Sequence, residues 1–512
     1  MDQIATKLRE DKQPLLIALL VFVAHALTNW LAVYDYFRDE FYFIACTGHM
    51  DWGYVDHPPL SILILWFNRL ILGDSMLALR IPTAIASAAV VYLTGILVRE
   101  LGGEKRAQLL ACISVAGVPI YLLLGDFYSM NAFEALFWMG AAFVLVRILK
   151  TGNQELWILF GIIAGLGVQN KHSMVFFCLA IVAGLLLTRH RSQFLNKWIW
   201  LGGALAGLIV LPNLIWLATH SWATLEFLQR AQQLKNAPMS VWGFLSAQIL
   251  FQHPLAAPLW IGGIAALFFH KAFRTYRLFG MSYVLLFALF VLQRGKPYYL
   301  SPLYPVILAA GAIAFEQYVL RTSRLRILRA YGILLTIAGL ATMPLFLSLT
   351  PPKTFISIMS TLGINDVQME RMKSPALPQV LADRFGWKEL TRDVSSVFHS
   401  LTPEEQSKAA IYTQNYGEAG AIDFFGRQYG LPKAISGHNN YWYWGPRGFT
   451  GEVLIIVGGR KENHQKGFES VELAMVHMSE YAMPFESHLP IYVCRRARAP
   501  VEELWSKVKF FI

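Results

Sequence analysis

Between Asp35 and Leu60 the chain carries Asp35, Arg38, Asp39, Glu40, His49, Asp51, Asp56 and His57, directly after an apolar run of membrane-spanning length. Three later polar stretches, also set between apolar runs, hold Asp126 with Asn131 and Glu134, then Lys171 with His172, then Arg294, Lys296, Tyr298 and Tyr299. Carboxylates and cations that converge on one membrane surface suit a substrate with an anionic head and a lipid tail. Each residue also has a plainer reading. An interfacial carboxylate is often a solvated loop residue, and Lys171 and Lys296 could be cations snorkelling at helix ends. The adjacent Asp39-Glu40 pair at the foot of a span, followed by a group that ends in a Pro-Pro turn, argues for more than solvated surface.

The elements that must position these residues are membrane helices. Of 512 residues 55% are apolar and 15% charged, with a positive mean hydropathy, which points to the bilayer as part of the solvent. The net charge of +11 falls in small groups between apolar runs rather than in a polybasic face, so no nucleic-acid partner is expected. Cys46, Cys112, Cys178 and Cys494 form no CxxC or zinc-binding spacing, and neither a metal nor a disulfide framework is implied. Although Ala24 and Ala26 imitate a signal-peptidase site, the run from Leu15 to Tyr34 is long enough to span and reads as an uncleaved first helix.

Ten further runs follow near residues 77–98, 107–124, 131–149, 155–170, 173–188, 198–218, 242–269, 278–293, 298–318 and 330–350, giving eleven expected spans. If Lys7, Arg9 and Lys12 face the cytoplasm, eighteen basic residues fall inside. Eight fall outside: Arg38, Arg69, Arg80, Lys171, Arg230, Lys235, Arg294 and Lys296. After Pro351-Pro352 the spanning runs stop, so the expected domains are a membrane part, 1–350, and an α/β domain, 351–512, on the outer side. Strands are expected at Ala410–Thr413, Glu452–Val457 and Leu489–Cys494. The fold class is thus an α-helical polytopic membrane protein with a C-terminal α/β soluble domain.

The segment RDEFYFIACTGHMDWGYVDHPPL, Arg38 to Leu60, resembles the first outer loop of the GT-C glycosyltransferases, in particular the protein O-mannosyltransferase and aminoarabinose lipid A transferase group. The Asp39-Glu40 pair and the run from His57 to Leu60, with Asp56 before it, carry the most specific part of the likeness. Gly125 to Glu134, NKHS at Asn170 to Ser173, and GKPYYLSPLYP from Gly295 to Pro305 follow in the expected order, so the resemblance covers residues 10–350. The aminoarabinose transferases have a Lys before the Pro-Pro pair, where this chain has His57, closer to the mannosyltransferase pattern. Either Asp126 or Asn131 stands where the group often places a second acid.

The resemblance implies a hexosyl- or pentosyltransferase of a multi-pass cell (inner) membrane protein, with its C-terminal domain periplasmic or extracellular. Its donor is a polyprenyl-phosphate-linked sugar and its acceptor a hydroxyl on a lipid, glycan or protein. Such transfer needs a base for the incoming proton and cations for the departing phosphate, which leaves as an anion without a general acid. Asp39 is the expected base, with Glu40 orienting it or the acceptor. Arg38, His57, Lys171 and Lys296 are expected to hold phosphate, Asp56, Asp126, Asn131 and His172 to line the substrate site, and Tyr298, Tyr299 and Trp52 to stack on sugar or line a lipid groove. No cofactor is called for.

In the C-terminal domain NYGEAGAIDFFGRQYG, from Asn415, reads as a Gly turn and an amphipathic helix. The aromatic run with His438, Asn439, Asn440, Tyr441, Trp442 and Trp444 is typical of carbohydrate contact. A transporter or flippase of lipid-linked saccharides is the rival reading. It would show paired halves and ionisable groups at the midplane, whereas here these groups lie at one surface and no halves correspond.

Overall fold

The computed structural model describes residues 12–363, 370–371 and 376–512, so Lys7 and Arg9 of the basic count lie outside the described residues. Every expected apolar run is helical. Six are single helices long and apolar enough to cross a membrane: Lys12–Leu31, Met76–Glu100, Met130–Thr151, Lys197–Thr219, Pro297–Arg321 and Leu325–Phe346. Three more are bent pairs, and Leu156–Asn170 and Arg277–Leu292 are shorter apolar helices. In a medium that offers backbone groups no water, helices of this kind are the way an apolar chain satisfies its own N–H and C=O groups, and the protein is a multi-pass membrane protein.

Two expected spans are broken, the run 107–124 by a 60° bend between Lys105–Ala116 and Pro119–Gly125. The run 242–269 divides into Val241–Phe251 and Pro254–Phe269, bent by 96°. Pro254 has no N–H to continue the first helix, and His253 before it adopts φ 68°. The halves are therefore held at an angle that a single hydropathy window cannot reveal. Elsewhere helices approach closely through small residues. A Cβ on Gly161 would lie 2.1 Å from the Gly202 carbonyl oxygen, which is how Leu156–Asn170 nests against Lys197–Thr219.

Two shorter helices lie between the first spans. Arg38–Thr47 is buried on nearly all sides, and Leu60–Leu72 exposes Leu63, Trp66, Phe67, Leu70 and Ile71 on one face while burying Ser61, Ile62, Leu65 and Asn68 on the other. That spacing is an amphipathic helix with its apolar stripe turned outward, the geometry of a helix lying in the membrane surface.

The C-terminal part holds a five-stranded sheet of order β2-β1-β3-β5-β4, with β1 Ala409–Thr413, β2 Ile435–Ser436, β3 Val453–Val457, β4 Phe468–His477 and β5 Leu489–Ala497. β1 runs parallel to β2 and β3, and β5 antiparallel to β3 and β4. The three expected strands are present. β2 has only two residues, and β4 is an edge strand largely open to solvent, so neither carries an apolar run to announce it. The Tyr416–Phe425 helix packs this domain directly onto Arg38–Thr47. A Cβ on Gly417 would lie 2.3 Å from Arg38 Cγ, and one on Gly420 would lie 2.8 Å from the Phe41 backbone.

Candidate active site

Asp39 and Glu40 share the first turn of Arg38–Thr47, where the free N–H groups of a helix favour negative charge. Their side chains have opposite fates. Glu40 is 1% exposed and fully engaged: Arg80 donates from Nε to Oε1 and from Nη2 to Oε2, each over 2.7 Å, and the Phe37 and Tyr128 N–H groups donate over 2.7 Å as well. A carboxylate so occupied cannot also receive a substrate proton. Glu40, expected to orient Asp39 or the acceptor, is an anchor that fixes the helix against the Met76–Glu100 span and so aims its neighbour. Asp39 keeps a side chain 33% exposed. Its Oδ1 accepts the Tyr416 phenol O–H over 2.8 Å and lies 3.6 Å from Arg38 Nε, while Oδ2 has no partner among the described residues.

Cations are grouped at two stations, the first within electrostatic reach of Asp39. At the first, Lys296 donates to Glu370 Oε1 over 2.5 Å and Lys235 lies 3.9 Å from the same oxygen. The backbone there is fixed by the Arg371 N–H donating to the Lys235 carbonyl over 2.8 Å. Burial works against charge on Glu370, but Lys235, Lys296 and Arg38 overcome it and hold its carboxyl well below the usual range. Burial lowers Lys235 despite Glu370. For Lys296 the same burial is outweighed by Glu370 and Tyr299, which raise it. The charge of Asp39 reaches both lysines.

At the second station Lys171 donates to Glu134 Oε2 over 2.6 Å and to Asn131 Oδ1 over 2.8 Å, and Ser173 donates to the other Glu134 oxygen. Lys171 Nζ also sits over the rings of Tyr299, 4.8 Å from the centroid, and Tyr298, 5.6 Å. These ring faces are taken by a cation rather than left open for a sugar. Tyr298 lies within electrostatic reach of Glu134, Glu370 and Asp39, which puts the two stations near one another.

Several expected contacts are placed elsewhere. Asp126 is fully buried and accepts from Arg384 Nη1 over 2.8 Å and Ser348 Oγ over 2.7 Å, a tie between the C-terminal part and the membrane part that leaves it no route to substrate. The acid beside Lys171 is Glu134, next to Asn131. His57 is buried, and its Nδ1 donates to the Pro58 carbonyl over 3.0 Å. That tautomer leaves Nε2 an acceptor, the wrong sense for gripping phosphate. His172 pairs through Nε2 with Asn213 Oδ1 over 3.0 Å, burial lowers its pKa, and Asn213 in turn donates to the Trp52 carbonyl over 2.9 Å. These residues hold the loop around Trp52 to the Lys197–Thr219 helix, and Trp52 is 62% exposed. Asp56 accepts the Tyr42 phenol O–H over 2.9 Å, and burial, opposed by His57 and Tyr42, raises its pKa.

The aromatic run of the C-terminal domain is packing, not an open carbohydrate platform. Asn440 Oδ1 accepts from the Val55 N–H over 2.7 Å and from Tyr42, Tyr441 donates to Asp423, and Trp444 stacks on His49 at 4.3 Å. Asn439, Asn440 and Tyr441 are all buried.

Four residues of the site are not marked as such by the sequence. Lys235 leaves a signal, as one of the eight cations expected on the outer side. Tyr416 lies in the Gly-rich run from Asn415, where Gly417 and Gly420 permit the close approach. Glu370 and Asp383 leave none. Asp383 Oδ1 lies 3.4 Å from Arg38 Nη1, and burial pushes its carboxyl up to about 7 against the pull of Arg38.

Residues 56–216 match the family described as dolichyl-phosphate-mannose-protein mannosyltransferase. The chain is 23% identical over 310 residues to undecaprenyl phosphate-alpha-4-amino-4-deoxy-L-arabinose arabinosyl transferase 1 of Pseudomonas fluorescens, a match covering 56% of this chain and 54% of that relative. The chain thus spans about half the length of the curated relative it matches. In fold it is similar to ArnT from Cupriavidus metallidurans bound to undecaprenyl phosphate, with TM-score 0.61 and 13% identity over 93% of this chain and 97% of that one. It is also similar to the Archaeoglobus fulgidus oligosaccharyltransferase in its apo form, with TM-score 0.55 and 14% identity over 89% and 66% of the two chains.

Proposed function

We propose that this chain, which has the GT-C fold of the ArnT and protein mannosyltransferase type, transfers a sugar from a polyprenyl-phosphate carrier to a hydroxyl acceptor at the membrane surface. The observation that carries the reading is the partly exposed Asp39, one oxygen steadied by Tyr416 and the other unpartnered among the described residues, within electrostatic reach of Lys235 and Lys296. Glu370 is itself an anion resting on those lysines, and its depressed pKa supports a station built for negative charge.

In this reading Asp39 takes the proton of the acceptor hydroxyl as its oxygen bonds to the anomeric carbon. The bond from that carbon to the phosphate oxygen breaks, and its electron pair leaves with the lipid phosphate. Lys235, Lys296, Lys171 and Arg38 stabilise the negative charge that collects on the leaving group, with more effect in a partly dehydrated chamber than in water. Displacement in one step inverts the anomeric centre. The match to an arabinosyl transferase favours a pentosyl donor on an undecaprenyl carrier, and we place the chamber and the C-terminal domain on the periplasmic or extracellular side.

The test is Asp39→Asn in purified protein. The amide keeps size and hydrogen-bonding reach but loses the basic lone pair. Sugar transfer should fall by at least about a thousandfold while polyprenyl-phosphate binding stays within about twofold of the parent. Transfer near the parental rate would remove Asp39 as the base.

A further inference from the structure

A cavity of about 310 Å³ lies against the Arg38–Thr47 helix, and Asp39, Lys171, Lys235 and Lys296 are not among its lining residues. Its floor is the interfacial Leu60–Leu72 helix, which contributes Trp66, Arg69 and Leu70, and its roof is the C-terminal domain, which contributes Asp423, Arg427 and Lys433. Two of its three cations differ from the third. Arg69 is spent, donating from Nε and Nη2 to the Asp74 carboxylate over 2.5 and 2.9 Å and from Nη1 to Thr47. Asp423 is also spent, on Arg447, Tyr441 and the Ala434 N–H. Arg427 and Lys433 are exposed, and among the described residues neither side chain has a hydrogen bond or ion pair. Both project their charge into this space: Arg427 is felt at Asp74 and Lys433 at His49.

Below these free cations the apolar stripe of Leu60–Leu72 is open, with Trp66 39% and Leu70 65% exposed. A phosphate seated between Arg427 and Lys433 would have its attached chains directed along that stripe. A free anion would gain nothing from the apolar shelf, and a neutral lipid nothing from the two charges. We propose that this cavity binds the phosphate headgroup of an anionic membrane lipid, which bridges the C-terminal domain to the interfacial helix. Asp39 does not line this cavity, so the bound lipid works by tying the two parts together and not through the transferred sugar.

The experiment measures phospholipid retained by the purified full-length protein in mixed micelles containing dioleoylphosphatidylglycerol or dioleoylphosphatidylcholine. The parent should prefer phosphatidylglycerol by about tenfold, since each basic residue near an anionic headgroup adds appreciably to its hold. Arg427→Gln combined with Lys433→Gln should erase that preference, and the exchange Arg427→Lys with Lys433→Arg should keep it. Polyprenyl-phosphate binding should be unchanged in both pairs, which separates this site from the Asp39 chamber. No preference in the parent, or a preference that survives the glutamine pair, would overturn the proposal. So would displacement of phosphatidylglycerol by inorganic phosphate at equal concentration, which would assign the cavity to a free anion.

Discussion

The Tyr416 phenol donates to Asp39 Oδ1 over 2.8 Å, joining residues 377 positions apart and fastening the C-terminal domain to the first turn of the outer helix. Tyr416 is itself held by stacking on Tyr42, 4.7 Å between centroids, and by its N–H donating to His438 Nδ1 over 3.3 Å. A hydrogen bond to a charged group contributes about 1.5–3 kcal/mol. Removing this one leaves the Asp39 carboxylate free to rotate away from its acceptor. Tyr416→Phe should lower kcat by roughly tenfold or more while leaving the donor KM within about twofold, because the ring and its packing remain. Steady-state kinetics on the purified variant checks this, and an equal rise in KM would make Tyr416 a donor contact instead.

Lys296 and Glu370 should give mutational effects of opposite sign. Lys296→Ala removes a cation from the phosphate station, and its loss should weaken polyprenyl-phosphate binding about tenfold or more; Lys171→Ala should do the same. Glu370→Gln instead frees Lys296 and Lys235 from the carboxylate that now neutralises them. Donor lipid then meets two uncompensated cations, and affinity should rise severalfold. Equilibrium binding of labelled polyprenyl phosphate to the three variants decides it. Weakened binding in Glu370→Gln would mean that Glu370 orders the lysines rather than competing for them.

Much of this site is legible in the order of residues alone. Asp39, Lys171, Lys296 and Asn131 announce themselves as ionisable or amide groups stranded beside spanning runs, where an unneeded charge is costly. The positive-inside count even includes Lys235 among its eight expected outer cations. What the order of residues does not carry is pairing. Glu40 and Asp39 are neighbours of the same charge, and only the fold reveals that Arg80, forty residues on, saturates one and leaves the other open. Asp126 has the right type and place in the chain, yet its partner Arg384 comes from the far side of the domain boundary. The fold hides some of its elements in a similar way: His253 and Pro254 bend an apolar run that composition alone counts as one span, and β4 is too exposed to show a strand's apolar run.

The Asp126–Arg384 pair offers a test of that boundary. Both side chains are essentially excluded from solvent, and Ser348 completes the contact. Removing one partner of a buried ion pair leaves the other charge uncompensated and costs about 3–5 kcal/mol, whereas replacing both with apolar groups is often close to neutral. Asp126→Leu and Arg384→Met should each lower the apparent melting temperature markedly, and the double variant should recover most of the loss. Thermal unfolding in detergent at a fixed scan rate measures it. Additive losses in the double variant would show that the two residues act independently.

The carboxyls beside Arg38 predict a dependence of stability on pH with a definite sign. Burial raises Asp383 from its ordinary 3.8 to about 7, so the folded protein binds this proton more tightly than the unfolded chain does. The stability from that proton is fully present below about pH 4 and is lost as pH rises through about 7, a change on the order of 4 kcal/mol. Glu370 runs the other way, because its lowered pKa gives stability that is present above the unfolded value of 4.5 and lost as pH falls. Asp383→Asn, whose amide stands in for the protonated acid, should therefore flatten the decline in melting temperature between pH 4 and pH 7 and leave the acid side unchanged. Glu370→Gln should flatten the acid side only. Melting curves of the two variants and the parent from pH 3 to pH 8 read both effects, and a decline above pH 4 that persists in Asp383→Asn would assign that proton to another group.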